Sequence, residues 1–216
     1  MAIIFLIEWA AGWISVTGLF RTAAPGISFA EAILRPLLLF IFVGIVEEVI
    51  FRGYLLQNLA EAFNLPSVGP RAAMPAAWLL SSILFGLAHA GNPFASPTST
   101  LYLMIAGLFL GLGYILTGEL AIPIGLHITW NFFQGNVFGF PVSGNPTSGT
   151  TVIAIEQGGP VIWTGGRFGP EAGLLGVLAN LVGMVLILLW LRARRGHVSL
   201  YLPLALPPVD VERPAG

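Results

Sequence analysis

Val46-Glu47-Glu48-Val49-Ile50-Phe51-Arg52-Gly53 sets three ionisable side chains in the middle of an apolar run that begins near Ala32. In a bilayer such charges cost roughly 2.5 to 3.5 kcal/mol each at mid-depth, so this stretch needs partners or a wet cavity. Two pairs elsewhere in the chain qualify as partners: Phe85 with His89, and His127 with Asn131. Each pair is spaced four residues apart inside another apolar segment, which places it on one helical face.

The surrounding composition explains why these few groups matter. The chain has 216 residues, 56% hydrophobic and only 9% charged, and its mean hydropathy is +0.87. A soluble domain carries about 25% charged residues, so this is the composition of an integral membrane protein. The formal charge of -1, with all nine basic residues Arg and no basic stripe along any helix, gives no reason to expect nucleic acid as a partner. No cysteine is present, which removes disulfides, thiolate metal sites and cysteine nucleophiles together. Met1 leads directly into an apolar run without a basic n-region, so the first segment reads as a spanning helix and not as a cleaved signal.

Windows of about 20 apolar residues suffice to cross a hydrocarbon core of about 30 Å. About six are present by that measure: Met1 to Phe20, Ala32 to Leu59, Met74 to Ala90, Thr100 to Thr117, Leu120 to Phe140, and Glu171 to Leu191. The expected fold class is therefore all-α, a polytopic helix bundle around a polar intramembrane cavity. It forms one transmembrane domain over residues 1–191, with a motif core at 32–140. A loop at 141–170, rich in turn signals with β-branched pieces between them, has room for a small hairpin and no chemistry of its own. Residues 192–216 are basic and then Pro-rich, and read as a disordered tail. Alternating sides set Arg71, Arg192, Arg194 and Arg195 with both termini against Arg21, Arg35 and Arg167 opposite, which favours cytoplasmic termini; the expected location is the plasma membrane. Glu8 and Glu119 are expected near the interfaces, and Gly107, Gly111 and Gly113 at close helix contacts.

On a helix, Glu48 and Arg52 are four apart with the acid first, the better order for an ion pair along one face. That pair neutralises itself. Glu47 is rotated about 100° from Glu48 and so is freer to face another helix. A carboxylate in a low-dielectric pocket is a stronger base than one in water, which is what general acid–base work near neutral pH requires. Depth counted at about 1.5 Å per residue sets Glu47 and His89 level and His127 about 10 Å away, with Asn131 between. A carboxylate, two imidazoles and an amide on one cavity are sufficient to activate a water and to donate to an oxyanion. Glu47, His89 and His127 also make a two-His, one-carboxylate set of the kind zinc accepts, although no His-Glu-x-x-His motif is present, and the cofactor is left open.

Glu47-Glu48-x-x-x-Arg52, Phe85-x-x-x-His89 and His127-x-x-x-Asn131, in this order on separate apolar segments, resemble the CAAX prenyl endopeptidase and bacteriocin-processing (CPBP, or Abi) family of intramembrane proteases. The resemblance covers roughly Ala32 to Phe140, and the chain has fewer apolar windows than members of that family typically carry. It implies a membrane endopeptidase, metallo- or glutamate-type, in which Glu47 with His89 activates water. His127 and Asn131 would stabilise the oxyanion, while Glu48, Arg52 and Phe85 support them. The implied partners are a peptide or protein substrate and the lipid bilayer. Prenylation of the substrate does not carry over, because bacterial relatives share the motifs. Two other functions use the same groups: peptide sequestration in bacteriocin self-immunity, and proton-linked transport. The missing internal repeat counts against the second.

Overall fold

A reciprocal cap starts the bundle. The Ser28 hydroxyl accepts from the Glu31 N–H while the Glu31 carboxylate accepts from the Ser28 N–H, which satisfies two of the free donors at a helix start. From this cap α2 (Phe29–Glu48) runs without a break through a π-helical stretch, Val49–Leu56, into α3 (Gln57–Phe63). It is preceded by α1 (Ala2–Ala10) and β1 (Ile14–Arg21). The chain continues through α4 (Pro70–Ala88), α5 (Pro97–Thr117), α6 (Ala121–Phe132), β2 (Thr151–Gln157), the short α7 (Val161–Thr164) and α8 (Leu174–Arg195). This architecture is seen in a computed structural model that describes residues 1–23, 25–145 and 149–206.

The protein is mostly helical, and among the described residues four helices are long and apolar enough to cross a membrane: Phe29–Phe63, α4, α5 and α8. Burial ranks them. The apolar window of α5 is 61% enclosed and that of Phe29–Phe63 only 17%, so α5 is the central post and α2 an outer wall with apolar residues such as Leu38 and Phe42 turned outward. Lipid, not water, is the solvent such a wall fits. Gly107 lets α5 approach α4, since a Cβ there would meet the Ser82 backbone at 3.0 Å.

Several expectations change. Met1 to Phe20 is not a spanning helix. Its helix stops at Ala10, Gly12 takes a left-handed φ of +70°, and Ile14–Arg21 becomes a strand. Its partner is β2, antiparallel, with Ile14 opposite Gln157 and Arg21 opposite Thr151. The strand in the 141–170 loop therefore pairs with the N-terminus and not within a local hairpin. Glu8, expected near an interface, is fully buried and accepts from Gln157 Nε2 at 2.9 Å. Leu120 to Phe140 forms α6 followed by a π-helical turn, Phe133–Val137, together shorter than the window.

The C-terminal residues are also more ordered than a disordered tail implies. Arg192, Arg194 and Arg195 form the last turn of α8, and a 3-10 turn at Leu202–Ala205 packs on α3, where Asn64 donates to the Ala205 carbonyl. Residues 207–216 lie outside the described residues. The Arg195–Glu119 pair and the Tyr201 N–H bond to the Ile115 carbonyl tie this segment to the end of α5.

Candidate active site

Glu47 and Glu48 end α2, where the helix widens into its π-helical stretch. A π segment carries an extra residue per turn, leaves backbone groups poorly paired, and recurs at functional sites. Here the Ser81 hydroxyl on α4 donates to the loosened Phe51 carbonyl at 2.9 Å. The widened turn still brings Arg52 onto Glu48. The Arg52 guanidinium donates to Glu48 Oε1 at 2.8 Å and, through its other terminal nitrogen, to the Gly107 carbonyl at 3.0 Å. Both side chains are wholly buried, and the guanidinium also lies 4.5 Å from the centre of the Phe85 ring.

Glu48 does a second job that the i, i+4 spacing does not reveal. The same Oε1 accepts from His127 Nδ1 at 2.7 Å, so one buried carboxylate joins α2 to α6. A carboxylate only accepts, so Nδ1 of His127 carries a proton and Nε2 is the nitrogen turned away from it. His89, at the C-cap of α4, is set the same way: its Nδ1 donates to the Phe85 carbonyl at 2.8 Å, which frees Nε2. Phe85 packs against both imidazoles, with ring centroids 4.8 Å from His89 and 6.0 Å from His127.

Both free Nε2 atoms face Glu47. Its Oε2 lies 3.8 Å from His89 and 3.9 Å from His127, and it has no hydrogen-bond partner among the described residues. These separations are too long for direct hydrogen bonds and match groups that share a bridging water. The expected difference in depth between His127 and Glu47 does not arise. Phe29–Phe63 spans 35 residues, roughly 50 Å of helix against a core of about 30 Å, so its residues cannot be levelled by counting from one plane.

The three groups open onto a cavity of about 510 Å³. One wall is the apolar face of α2, with Pro36, Phe40 and Val43; the other carries amides and a hydroxyl, Asn92, Asn131, Asn136, Asn145 and Ser143. All four proposed catalytic groups, Glu47, His89, His127 and Asn131, line this one space, while Glu48, Arg52 and Phe85 stand behind it.

Other residues of the site were not visible in the motifs. Asn92 donates to the Ser143 carbonyl at 2.9 Å, and the buried Glu171 accepts from the Ser143 N–H, from the Ser143 hydroxyl at 3.2 Å, and from Gln134. These bonds hold the turn at 142–145, in which Ser143 takes φ +48°, against the cavity mouth. Burial pushes the Glu171 carboxyl up to about 7, although the bonds from Ser143 and Gln134 pull the other way. The loop expected to carry no chemistry therefore supplies part of the wall. An amide inside an apolar segment, as at Gln134, Asn136 or Asn180, is the signal that marks such residues.

As they stand, the donors do not fit zinc. Tetrahedral ligands at 2.0–2.1 Å from the metal are about 3.4 Å from one another, closer than the 3.8 and 3.9 Å found, and no three His, Asp or Glu among the described residues form a metal-binding group.

No curated protein and no solved structure matches the chain. A family model does, over residues 29–133, the stretch from the Ser28 cap to just beyond Asn131. Its description is type II CAAX prenyl endopeptidase, Rce1-like, so over that stretch the chain is similar to this peptidase family, as its three motifs led one to expect.

Proposed function

We propose that the protein is an intramembrane endopeptidase that hydrolyses a peptide bond of a membrane-associated peptide or protein with a water activated by Glu47 and His89. The observation that carries this reading is the approach of Glu47 Oε2 to both free imidazole nitrogens in one cavity.

The chemistry follows from the hydrogen-bond roles. Glu47 Oε2 and His89 Nε2 are acceptors 3.8 Å apart, and a water donating to both is held with its oxygen lone pairs outward. As that oxygen attacks the scissile carbonyl carbon, one water proton passes to Glu47 and later to the leaving amine. His127, with its Nδ1 proton fixed on Glu48, donates from a protonated Nε2 to the developing oxyanion, and the Asn131 amide donates beside it. Charge balance supports this protonation: Glu47, Glu48 and Arg52 sum to one negative charge, and a single imidazolium neutralises it inside the membrane. The apolar α2 wall suits a hydrophobic substrate flank and the amide wall suits its backbone.

The test is peptide cleavage in liposomes, comparing wild type with Glu47→Ala and His89→Ala. Activity should fall by about 10³- to 10⁴-fold in each, with both variants still folded. Undiminished cleavage in either variant removes that residue from the mechanism; undiminished cleavage in both overturns it.

A further inference from the structure

Behind the catalytic cavity lies a second, smaller one of about 40 Å³. Asn131, His89 and His127 line both, so these side chains form the partition between them. The far wall of the smaller cavity carries Glu171 and, from α8, Asn180. Asn180 is 1% exposed, and its Nδ2 has no hydrogen-bond partner among the described residues. A buried amide donor left unbonded is costly, and native proteins meet that cost with a partner or an internal water. A water needs roughly 10 to 15 Å³ and two to four polar neighbours, and this cavity meets both conditions.

We infer that the smaller cavity is an internal water site, in which a water accepting from Asn180 Nδ2 donates to Asn131 Oδ1 and so fixes which way the Asn131 amide points. The Asn131 side chain has two chemically different ends, and nothing in its own shape selects between them. With Oδ1 held by the rear water, Nδ2 is directed into the catalytic cavity as a donor. Were the amide turned over, its oxygen would face the developing oxyanion and repel it. Asn180 is thus a positioning residue that acts through a water on Asn131. Leu103 and Phe109 supply apolar surface that confines the water to the polar side of the site. The functional consequence rests on the oxyanion role proposed for Asn131, whereas the water site itself does not.

Two measurements separate these levels. An experimental structure at a resolution that shows ordered solvent should contain a water within hydrogen-bond distance of Asn180 Nδ2; an empty or lipid-filled cavity overturns the site whatever the protein catalyses. In the cleavage assay, Asn180→Leu should lower kcat roughly ten- to a hundredfold with KM unchanged, the range expected when a group that orients a catalytic ligand is lost. Asn180→Ser keeps a hydroxyl donor and should retain most of the activity, which provides a reading should the Leu variant not fold. On an Asn131→Ala background Asn180→Leu should cause no further loss. An additive loss, or a Ser variant as impaired as the Leu variant, overturns the positioning role. A water observed in a protein that fails the Glu47 test leaves the site intact and removes only its catalytic consequence.

Discussion

Glu47 and Glu48 are adjacent in the chain, and their surroundings differ in almost every respect. The Glu48 side chain is wholly buried and its Oε1 takes hydrogen bonds from both a guanidinium and an imidazole. The Glu47 side chain is 28% exposed, faces a cavity, and approaches two imidazoles without bonding either. A buried charge with good partners is spent on structure, since moving its proton or its position disturbs all of them. A carboxylate held near its partners but short of bonding keeps its lone pairs for a third molecule. The difference teaches how adjacent acids on one helix can divide: the cation four residues on takes one into a clamp, and the other is left free for the role of base proposed above.

The largest stability effect should come from breaking the clamp. Arg52→Leu leaves Glu48 buried opposite His127 alone and should cost about 3 to 5 kcal/mol, the usual range when one partner of a buried ion pair is removed. Thermal unfolding in detergent would register it, and the double variant Glu48→Met with Arg52→Leu should unfold at a higher temperature than Arg52→Leu alone. Glu47→Gln should leave the unfolding temperature nearly unchanged. If Arg52→Leu is as stable as wild type, the division between clamp and base does not hold.

Much of this contrast was legible in the sequence, because it rests on local spacing. Glu48 with Arg52 and Phe85 with His89 are one helical turn apart, and helical geometry alone makes them meet. What was not legible depends on distant segments. The His127–Glu48 bond joins residues 79 apart, and β1 finds its partner nearly 140 residues downstream. A window over Met1 to Phe20 registers apolar content and is blind to that partner. Yet Gly12, followed by the β-branched Ile14, Val16 and Thr17, does carry the change from helix to strand. The π-helical widening at Val49–Leu56 has no signature in the residue pattern and depends on support from α4, as the Ser81 bond shows.

Glu171 offers a third kind of buried carboxylate, held by amide and hydroxyl donors with no cation in its set of bonds, and it sharpens the comparison through pH. Burial raises its carboxyl from 4.5 to about 7, and Glu8, beneath the sheet, is raised to about 7 by the same cause. Between pH 4.5 and 7 the folded protein keeps protons that the unfolded chain releases. The stability each group contributes is therefore present in full below pH 4.5 and is lost as the pH rises through about 7. For Glu171 this amounts to roughly 3 kcal/mol at most. Unfolding temperature should fall over that interval, and Glu171→Gln should flatten part of the decline, Glu8→Gln another part. A Glu171→Gln protein with an unchanged pH profile would show that its bonds to Ser143 and Gln134 keep the carboxylate ionised.

The smallest effect decides whether Glu48 belongs only to the clamp. Glu48→Gln keeps the volume of the side chain and one accepting oxygen, but removes the charge that holds His127 Nδ1 at 2.7 Å and Arg52 at 2.8 Å together. Stability should drop by about 1 to 2 kcal/mol, as for a weakened buried hydrogen bond to a charged group. A clamp that does nothing else predicts no change in kcat for the protein that remains folded. A carboxylate that also orients His127 predicts a kcat roughly ten- to a hundredfold lower, because an imidazolium no longer tied at Nδ1 divides its time between orientations and donates to the oxyanion less often. A kcat at the wild-type level would confine Glu48 to the structural side of the comparison and leave His127 oriented by Phe85 and the helix alone.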